Sequence, residues 1–301
     1  MRNDLAPGTR ETFATILGRL KDLRGHPHVS GAYVEFRIEL LHAQRAVRRA
    51  LETAGNHSAE WRGSRAEPAG MPLTPETFVF AKDLLWEVFV ATCAAAEEHG
   101  QETEDLRRLA ATAAAEPAFL RNLARAAAFG PDQHTLETLA RVWDIHAETL
   151  LFVGRATAAP FIAEAVAAWR GEEAPNDPTG QPHQCPACGS PPSLARLRRP
   201  DGRRLLICSL CGSEWEGVRL GCACCGTQDR AALGVLRVAD ESPRWLETCD
   251  ACQGYIKTVD ERRLVEGEAI YPVVEEAATL HLDLLAEREG YVRRVPYVLS
   301  G

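Results

Sequence analysis

The sequence predicts an α+β chain: an N-terminal all-α helical domain, two tandem four-cysteine modules built from short hairpins, and a C-terminal helix. Three observations carry this. Apolar residues recur at helical spacing up to about residue 170. Beyond residue 184 the apolar period shortens toward two. Between Cys185 and Cys252, eight cysteines fall into four C-x-x-C pairs: Cys185/Cys188, Cys208/Cys211, Cys222/Cys225 and Cys249/Cys252.

Residues 9–169 are rich in Ala, Leu, Arg and Glu, all good helix formers. Helices are expected over 9–24, 30–54, 75–98, 102–115, 118–128, 133–144 and 148–170, making a bundle of about six helices that each bury one stripe. In the third, Thr74 caps the start and Pro75 fits the first turn, where its missing N–H costs nothing. Phe78, Leu85, Phe89 and Cys93 then form a stripe on one face. Residues 55–72 carry Gly, Ser, Pro and mixed charge without periodicity and read as a mobile loop. Pro160 should kink or break the seventh helix.

The stretch 171–184, GEEAPNDPTGQPHQ, has nothing to bury and reads as a linker. After it, RRLLIC, EWEGVRL, LGVLRV and RWLETC are β-like runs separated by turn signals, as if one unit were used twice. Residues 273–289 return to helical spacing, with Val274, Ala278, Leu282 and Leu285 on one face, and should pack back on the bundle. The expected division is therefore 1–170 helical, 171–184 linker, 185–220 first module, 221–265 second module and 266–301 C-terminal helix and tail.

With 301 residues, 46% hydrophobic and 25% charged, the composition is that of an ordinary globular protein. A net charge of −8 argues against a chain built to coat nucleic acid or anionic membrane. No secretory signal is visible at the start, and the most apolar run, TLLFVGRATAAPFIAEAVAAW, is interrupted by Arg155, Pro160 and Glu164. The chain is expected to be cytoplasmic, with no membrane association. In that reducing compartment, paired cysteines are ligands rather than disulfides.

A C-x-x-C turn places two thiolates facing one ion at about 2.3 Å, and two such turns close a tetrahedral site. Sequential pairing gives Cys185, Cys188, Cys208 and Cys211 as site 1, across 19 residues, and Cys222, Cys225, Cys249 and Cys252 as site 2, across 23. Each spacer is long enough for one hairpin. Gly189, Gly212 and Gly226, after the second cysteine of three pairs, suit knuckles whose amides point at a sulfur. Cross-braced pairing, first with third and second with fourth, needs longer reach. Four-thiolate sites are closed, so they point to folding or docking roles before electron transfer, and to catalysis last. Tetrahedral sulfur suits iron or zinc alike.

Other candidates are weaker. Cys224 reads as a spare thiol beside Cys225, Cys93 as a core residue, and His183 as a linker histidine or a donor to the first knuckle. The histidines show no metal-binding spacing, and no catalytic or cofactor-binding motif is present. The chain reads as a non-enzyme. Arg196, Arg198, Arg199, Arg203 and Arg204 cluster on the first hairpin, so the rival function is a zinc-ribbon nucleic-acid-binding protein using Arg196 to Arg204. Against it, each divalent four-thiolate site carries a formal −2, and no aromatic stripe interleaves the arginines.

The strings CPACGSPP, CSLCGSEW, VRLGCACCG and ETCDACQGYIKTV, with LDLLAEREGYVRR, Pro296-Tyr297 and terminal Gly301, resemble the formate dehydrogenase accessory protein family, FdhE. The resemblance is detailed over 184–301 and extends to the first half only in length and character. It implies a non-catalytic maturation factor whose two rubredoxin-like modules hold iron or zinc through the eight cysteines. It implies binding to the catalytic subunit of a formate dehydrogenase, and leaves self-association open. Cys224, and Gln253 where the fourth knuckle would carry Gly, depart from the pattern. Surfaces beside Trp215 and Tyr255 are candidate docking faces, with Trp215 alternatively packing over its own knuckle.

Overall fold

The computed structural model describes residues 10–53, 73, 78–99, 103–129, 133–170, 183–238 and 243–293. The loop expected at 55–72, the cap at Thr74 and Pro75, the linker up to residue 182 and the tail beyond residue 293 lie outside the described residues.

Among the described residues the first half holds seven α-helices: α1 (Arg10–Asp22), α2 (Gly31–Thr53), α3 (Lys82–Glu98), α4 (Thr103–Ala115), α5 (Pro117–Ala128), α6 (Gln133–Trp143) and α7 (Ala147–Arg170). Helix α7 is the axis, with α2, α3 and α5 packed around it. By length and composition the stretch Ala147–Ala167 could cross a membrane, but 78% of its most apolar window is buried inside the fold, as befits a core helix.

Helix α3 starts at Lys82, not at 75. Phe78 and Phe80 precede it outside any helix or strand and still fill the core, Phe80 meeting Phe161 at 5.4 Å and Phe78 meeting Phe129 at 5.6 Å. Apolar residues buried from a loop imitate a helical stripe, which is why spacing placed the start too early. Pro160 does not break α7. Proline lacks the N–H that would bond the carbonyl four residues earlier, that of Ala156. Buried Gln44 of α2 donates Nε2–H to that same carbonyl at 3.1 Å. A neighbouring helix thus supplies the missing donor.

Among the described residues the second half holds one six-stranded sheet: β1 (Pro192–Leu197), β2 (Arg204–Cys208), β3 (Glu214–Glu216), β4 (Leu233–Leu236), β5 (Arg244–Cys249) and β6 (Gly254–Asp260), ordered β3-β2-β1-β6-β5-β4. Each triplet is antiparallel, and the two are joined by parallel pairing of β1 with β6, Leu194 opposite Lys257. The expected strands miss β1 and β6, which lie at the centre and are buried along nearly their whole length. Their polar residues hide the pattern. Arg196 is paired with Glu214 and Glu261, and Lys257 with Glu276 at 3.3 Å and Asp283 at 2.6 Å.

The run 273–289 is two helices, α8 (Pro272–Ala278) and α9 (Leu280–Arg288), divided at Thr279, whose hydroxyl donates to the Glu275 carbonyl at 2.6 Å. They serve different partners. Val273 and Ala277 of α8 pack with Ile16, Leu20, Val34 and Ile38 of the bundle, while Leu282 and Ala286 of α9 cover Leu246 and Tyr255 of the sheet. Of the expected stripe only Leu282 is fully buried; one continuous helix could not present both faces. The fold class is α+β, as the sequence predicts.

Candidate metal centres

Each cluster is assembled from two turns at the ends of a hairpin. Cys185 and Cys188 precede β1; Cys208 ends β2 and Cys211 lies in the turn into β3. In the second half Cys222 and Cys225 precede β4, Cys249 ends β5 and Cys252 lies in the turn into β6. The antiparallel pairs β1–β2 and β4–β5 fold the later turn back onto the earlier one. The structure therefore brings Cys185, Cys188, Cys208 and Cys211 together, and separately Cys222, Cys225, Cys249 and Cys252, each set within 4.8 Å.

The separations test whether a metal fits. Four sulfurs bound at about 2.3 Å in a tetrahedron stand about 3.8 Å apart. At site 1, Cys185 and Cys211 are 3.7 Å apart, Cys188 and Cys208 3.5 Å, and Cys188 and Cys211 3.6 Å. At site 2 the values are 3.7 Å for Cys222–Cys252 and 3.9 Å for Cys225–Cys249. These are tetrahedral edges, far longer than a disulfide bond of about 2.05 Å. Both clusters can hold a metal ion.

The turns also supply amide hydrogens to sulfur. The N–H groups of Leu210 and Cys211 point at Cys208 Sγ at 3.4 and 3.5 Å, and those of Cys224 and Cys225 at Cys222 Sγ at 3.3 and 3.4 Å. Gly189, Gly212 and Gly226 close three turns at φ of +71°, +70° and +76°; Gln253 closes the fourth at +54°. A side chain there resists the left-handed conformation, and its amide compensates by donating to the Asp250 carbonyl at 2.9 Å. Hydrogen bonds from Cys224, then the two amides, bring the Cys222 thiol down to about 4 against the pull of burial.

The two sites differ in setting. Cys185, Cys188 and Cys208 belong to the main core, packed in one cluster with residues of α5 and α7. At site 2 Cys222 and Cys249 are buried, but Cys225 is exposed. A buried cation without a carboxylate stands beside site 1. Arg155 of α7, 0% exposed, donates to the Ala127 carbonyl at 3.1 Å and to Ser209 Oγ, within the second turn, at 2.8 Å. Ser190 Oγ, after the first turn, reaches the Ala128 carbonyl at 3.3 Å. Both contacts fall on the carbonyl end of α5, where a positive charge is favoured. Arg155 has no carboxylate partner among the described residues. Burial opposes its charge; the thiols of Cys208, Cys188 and Cys211, once ionised, favour it. A four-thiolate site of formal charge −2 is the counter-charge this arginine lacks.

Other expected residues find plainer roles. Cys224 is no ligand of the set; its Sγ lies 3.6 Å from the Tyr255 carbonyl. Cys93 is buried in α3, and burial lifts its thiol to about 12. His183 rests not on the first knuckle but on the third, where a Cβ on Gly226 would come within 2.7 Å of its Nδ1. Trp215, 7% exposed, is part of the main core, and Tyr255, 5% exposed, donates its hydroxyl to Asp283 at 2.7 Å.

The arginine cluster is also internally satisfied. Arg196 binds Glu214 and Glu261, Arg198 binds Asp201, and Arg203 binds Asp201 and Glu216. Arg204, 3% exposed, binds Glu247 at 2.6 Å, and Arg199 donates to the carbonyls of Glu261 and Leu264. The basic patch that the nucleic-acid reading needs is neutralised by its own fold. Sequence spacing could not reveal this, because most of the partners are distant in the chain.

Comparison with known proteins places the second half. Residues 184–219 match the FdhE central domain and residues 220–299 the FdhE C-terminal domain. A protein FdhE homolog of Pseudomonas aeruginosa is 36% identical over 122 residues, 38% of this chain and 38% of that one. The homolog of Stutzerimonas stutzeri is 38% identical over 120 residues, 38% and 37% of the two chains. That of Aquifex aeolicus is 34% identical over 112 residues, 36% and 38%. These matches span less than two fifths of the curated relatives' length. The crystal structure of the FdhE protein from Pseudomonas aeruginosa superposes with a TM-score of 0.58 at 24% identity, covering 99% of this chain and 98% of that one. That is a likeness of fold.

Proposed function

We propose that this chain, whose residues 184–299 belong to the FdhE family, is a cytoplasmic accessory protein for formate dehydrogenase, binding its catalytic subunit during maturation. The observation that carries the reading is the pair of closed thiolate clusters at tetrahedral spacing. Four sulfurs leave no position for substrate, so the metal acts as a structural clamp on a binding module. On this reading Cys185, Cys188, Cys208 and Cys211 hold one ion, and Cys222, Cys225, Cys249 and Cys252 a second, iron or zinc. The modules are 185–220 and 221–265, and the helical domain 1–170 carries them. A reducing compartment keeps all eight thiols available. The protein needs no catalytic residue of its own.

Affinity capture of the tagged full chain from cells expressing a formate dehydrogenase tests this. The catalytic subunit should be recovered, and recovery should fall in a Cys249→Ser, Cys252→Ser variant. Recovery of nucleic acid instead, with binding lost steeply as salt rises, would overturn the reading. Metal analysis after anaerobic purification should find up to two ions per chain.

A further inference from the structure

His183 belongs to site 1 by sequence and to site 2 by packing. It stands two residues before Cys185, the first ligand of site 1, and two residues of chain reach at most about 7 Å. Its ring nevertheless lies on Gly226, which closes the first turn of site 2. A Cβ on that glycine would come within 2.7 Å of His183 Nδ1, 3.1 Å of Cε1 and 3.4 Å of Cγ. Three ring atoms so close leave no slack between imidazole and backbone. Around the contact lie Gly221 and Cys222 on one side and Arg204 and Leu206 of β2 on the other. The gap they leave is about 10 Å³, at the lower limit for a single water.

The seat depends on the shape of that turn. Gly226 holds a φ of +76° and donates its N–H to the Cys222 carbonyl at 3.0 Å, while the Cys222 N–H bonds the Thr227 carbonyl at 2.8 Å. An ion shared by Cys222 and Cys225 locks this geometry, because a cysteine turn closed on a metal takes its fold with the metal. The ring is held there by fit. Its Nδ1 is shut away from solvent and has no hydrogen-bond partner among the described residues. A nitrogen so placed costs free energy that only close packing offsets. Once the turn loosens, the ring does better in water, and the chain entering Cys185 loses a support.

We infer that the two metal centres load cooperatively and that His183 is the strut between them. An ion held by Cys222, Cys225, Cys249 and Cys252 fixes the turn, the turn seats the imidazole, and the seated imidazole steadies the entry to Cys185 and Cys188. By linkage the effect is reciprocal, so an ion at site 1 favours one at site 2 by the same factor. The two modules then pass together between an empty and a loaded form, and a partner meets the complete binding unit rather than a half-loaded one. Coupling through the sheet, by β1–β6 pairing or by Arg204 on Glu247, would bypass His183, and the test separates the two routes. The inference rests on the proposed function only in taking both clusters to hold metal.

The test is a cycle of four full-length proteins, purified anaerobically and titrated with cadmium against a competing chelator, with each site read by its own cadmium resonance. They are the wild type, His183→Ala, a Cys249→Ser, Cys252→Ser variant that cannot load site 2, and the combination. Disabling site 2 should weaken site 1 about fivefold or more when His183 is present, and less than about twofold when it is alanine. His183 is half-buried at the edge of its module, and unchanged helical circular dichroism verifies the fold of each variant. A second measurement avoids the cysteine substitutions. In the unmutated chain a limiting chelator removes the site 2 ion, and the His183 ring protons, assigned by their loss in His183→Ala, should move to free-imidazole positions. Ring signals that stay in place overturn the inference, as does an equal weakening of site 1 with and without His183. If two ions bind independently, the cooperative inference falls alone and the proposed function stands. If neither cluster binds an ion, the metal-clamp reading in the proposed function falls and takes this inference with it.

Discussion

Replacing Arg155 by Met tests the charge balance of site 1 directly. Methionine keeps much of the apolar stem and removes the guanidinium. The native group is 0% exposed, and its two hydrogen bonds go to neutral acceptors, the Ala127 carbonyl and Ser209 Oγ. Its only anionic neighbours among the described residues are the thiols of Cys208, Cys188 and Cys211 when ionised. Loaded with a divalent metal the site carries −2; stripped and reprotonated it carries less. A unit charge acting across ~7 Å at an effective dielectric near 20 is worth about 2 kcal/mol. Each unit of charge lost on stripping thus weakens what Arg155 gains from the site by that amount. With one unit of charge lost on stripping, the substitution should lower metal affinity at site 1 about 30-fold, since 1.4 kcal/mol is tenfold. Competition against a chromophoric chelator reads this, with site 2 as internal control. Thermal unfolding followed by helical circular dichroism should show a larger loss in the loaded protein than in the chelated one. An equal loss in both forms, with unchanged metal affinity, would make Arg155 a packing residue and refute the charge argument.

Four further outcomes follow from the structure. A chelator should empty the clusters in order, site 2 first because Cys225 is exposed, and only loss of the second ion should lower the melting temperature of the helical signal, because site 1 shares the bundle's core. Gln44→Ala should cost about 1–3 kcal/mol by orphaning the Ala156 carbonyl, and much less in a Pro160→Ala background where the helix supplies its own donor; equal cost in both backgrounds, in denaturant titrations, would sink the repair argument. Burial alone would raise the Glu276 carboxyl, but Arg293 and Lys257 hold it below its ordinary 4.5, so its contribution is full above that pH and is lost as pH falls through the lower folded value. Glu276→Gln should cost about 3–5 kcal/mol at pH 7 and flatten the acid limb of the stability curve, checked by urea titration from pH 7 to 3. Gln253→Gly should stabilise by about 1 kcal/mol by relieving the left-handed backbone, less what the Gln253–Asp250 hydrogen bond contributes; a clear loss in chemical denaturation would show that bond to matter more.

The two cysteine clusters were legible in the spacing alone. A C-x-x-C turn is a local object, and a hairpin of 19 or 23 residues returns one turn to the other without help from the rest of the chain. Helix positions were legible for the same reason, since apolar spacing is local. Spacing failed where burial came from outside the element: Phe78 and Phe80 in the loop before α3, and the split between α8 and α9, each facing a different partner. The central strands β1 and β6 were hidden by charged residues whose partners sit on elements far along the chain.

Tertiary structure alone decided what the interruptions of the most apolar helix mean. Arg155, Pro160 and Glu164 read in sequence as three breaks in a hydrophobic run. In the fold, Arg155 faces the first thiolate cluster, Pro160 frees a carbonyl that Gln44 takes, and Glu164 binds Arg48 of α2 at 3.5 Å. The three contacts, Arg155–Ser209, Gln44–Ala156 and Arg48–Glu164, span 54, 112 and 116 residues of chain, and only close packing brings such pairs together. The same holds for the arginine cluster, turned from a nucleic-acid signal into internal ion pairs and hydrogen bonds.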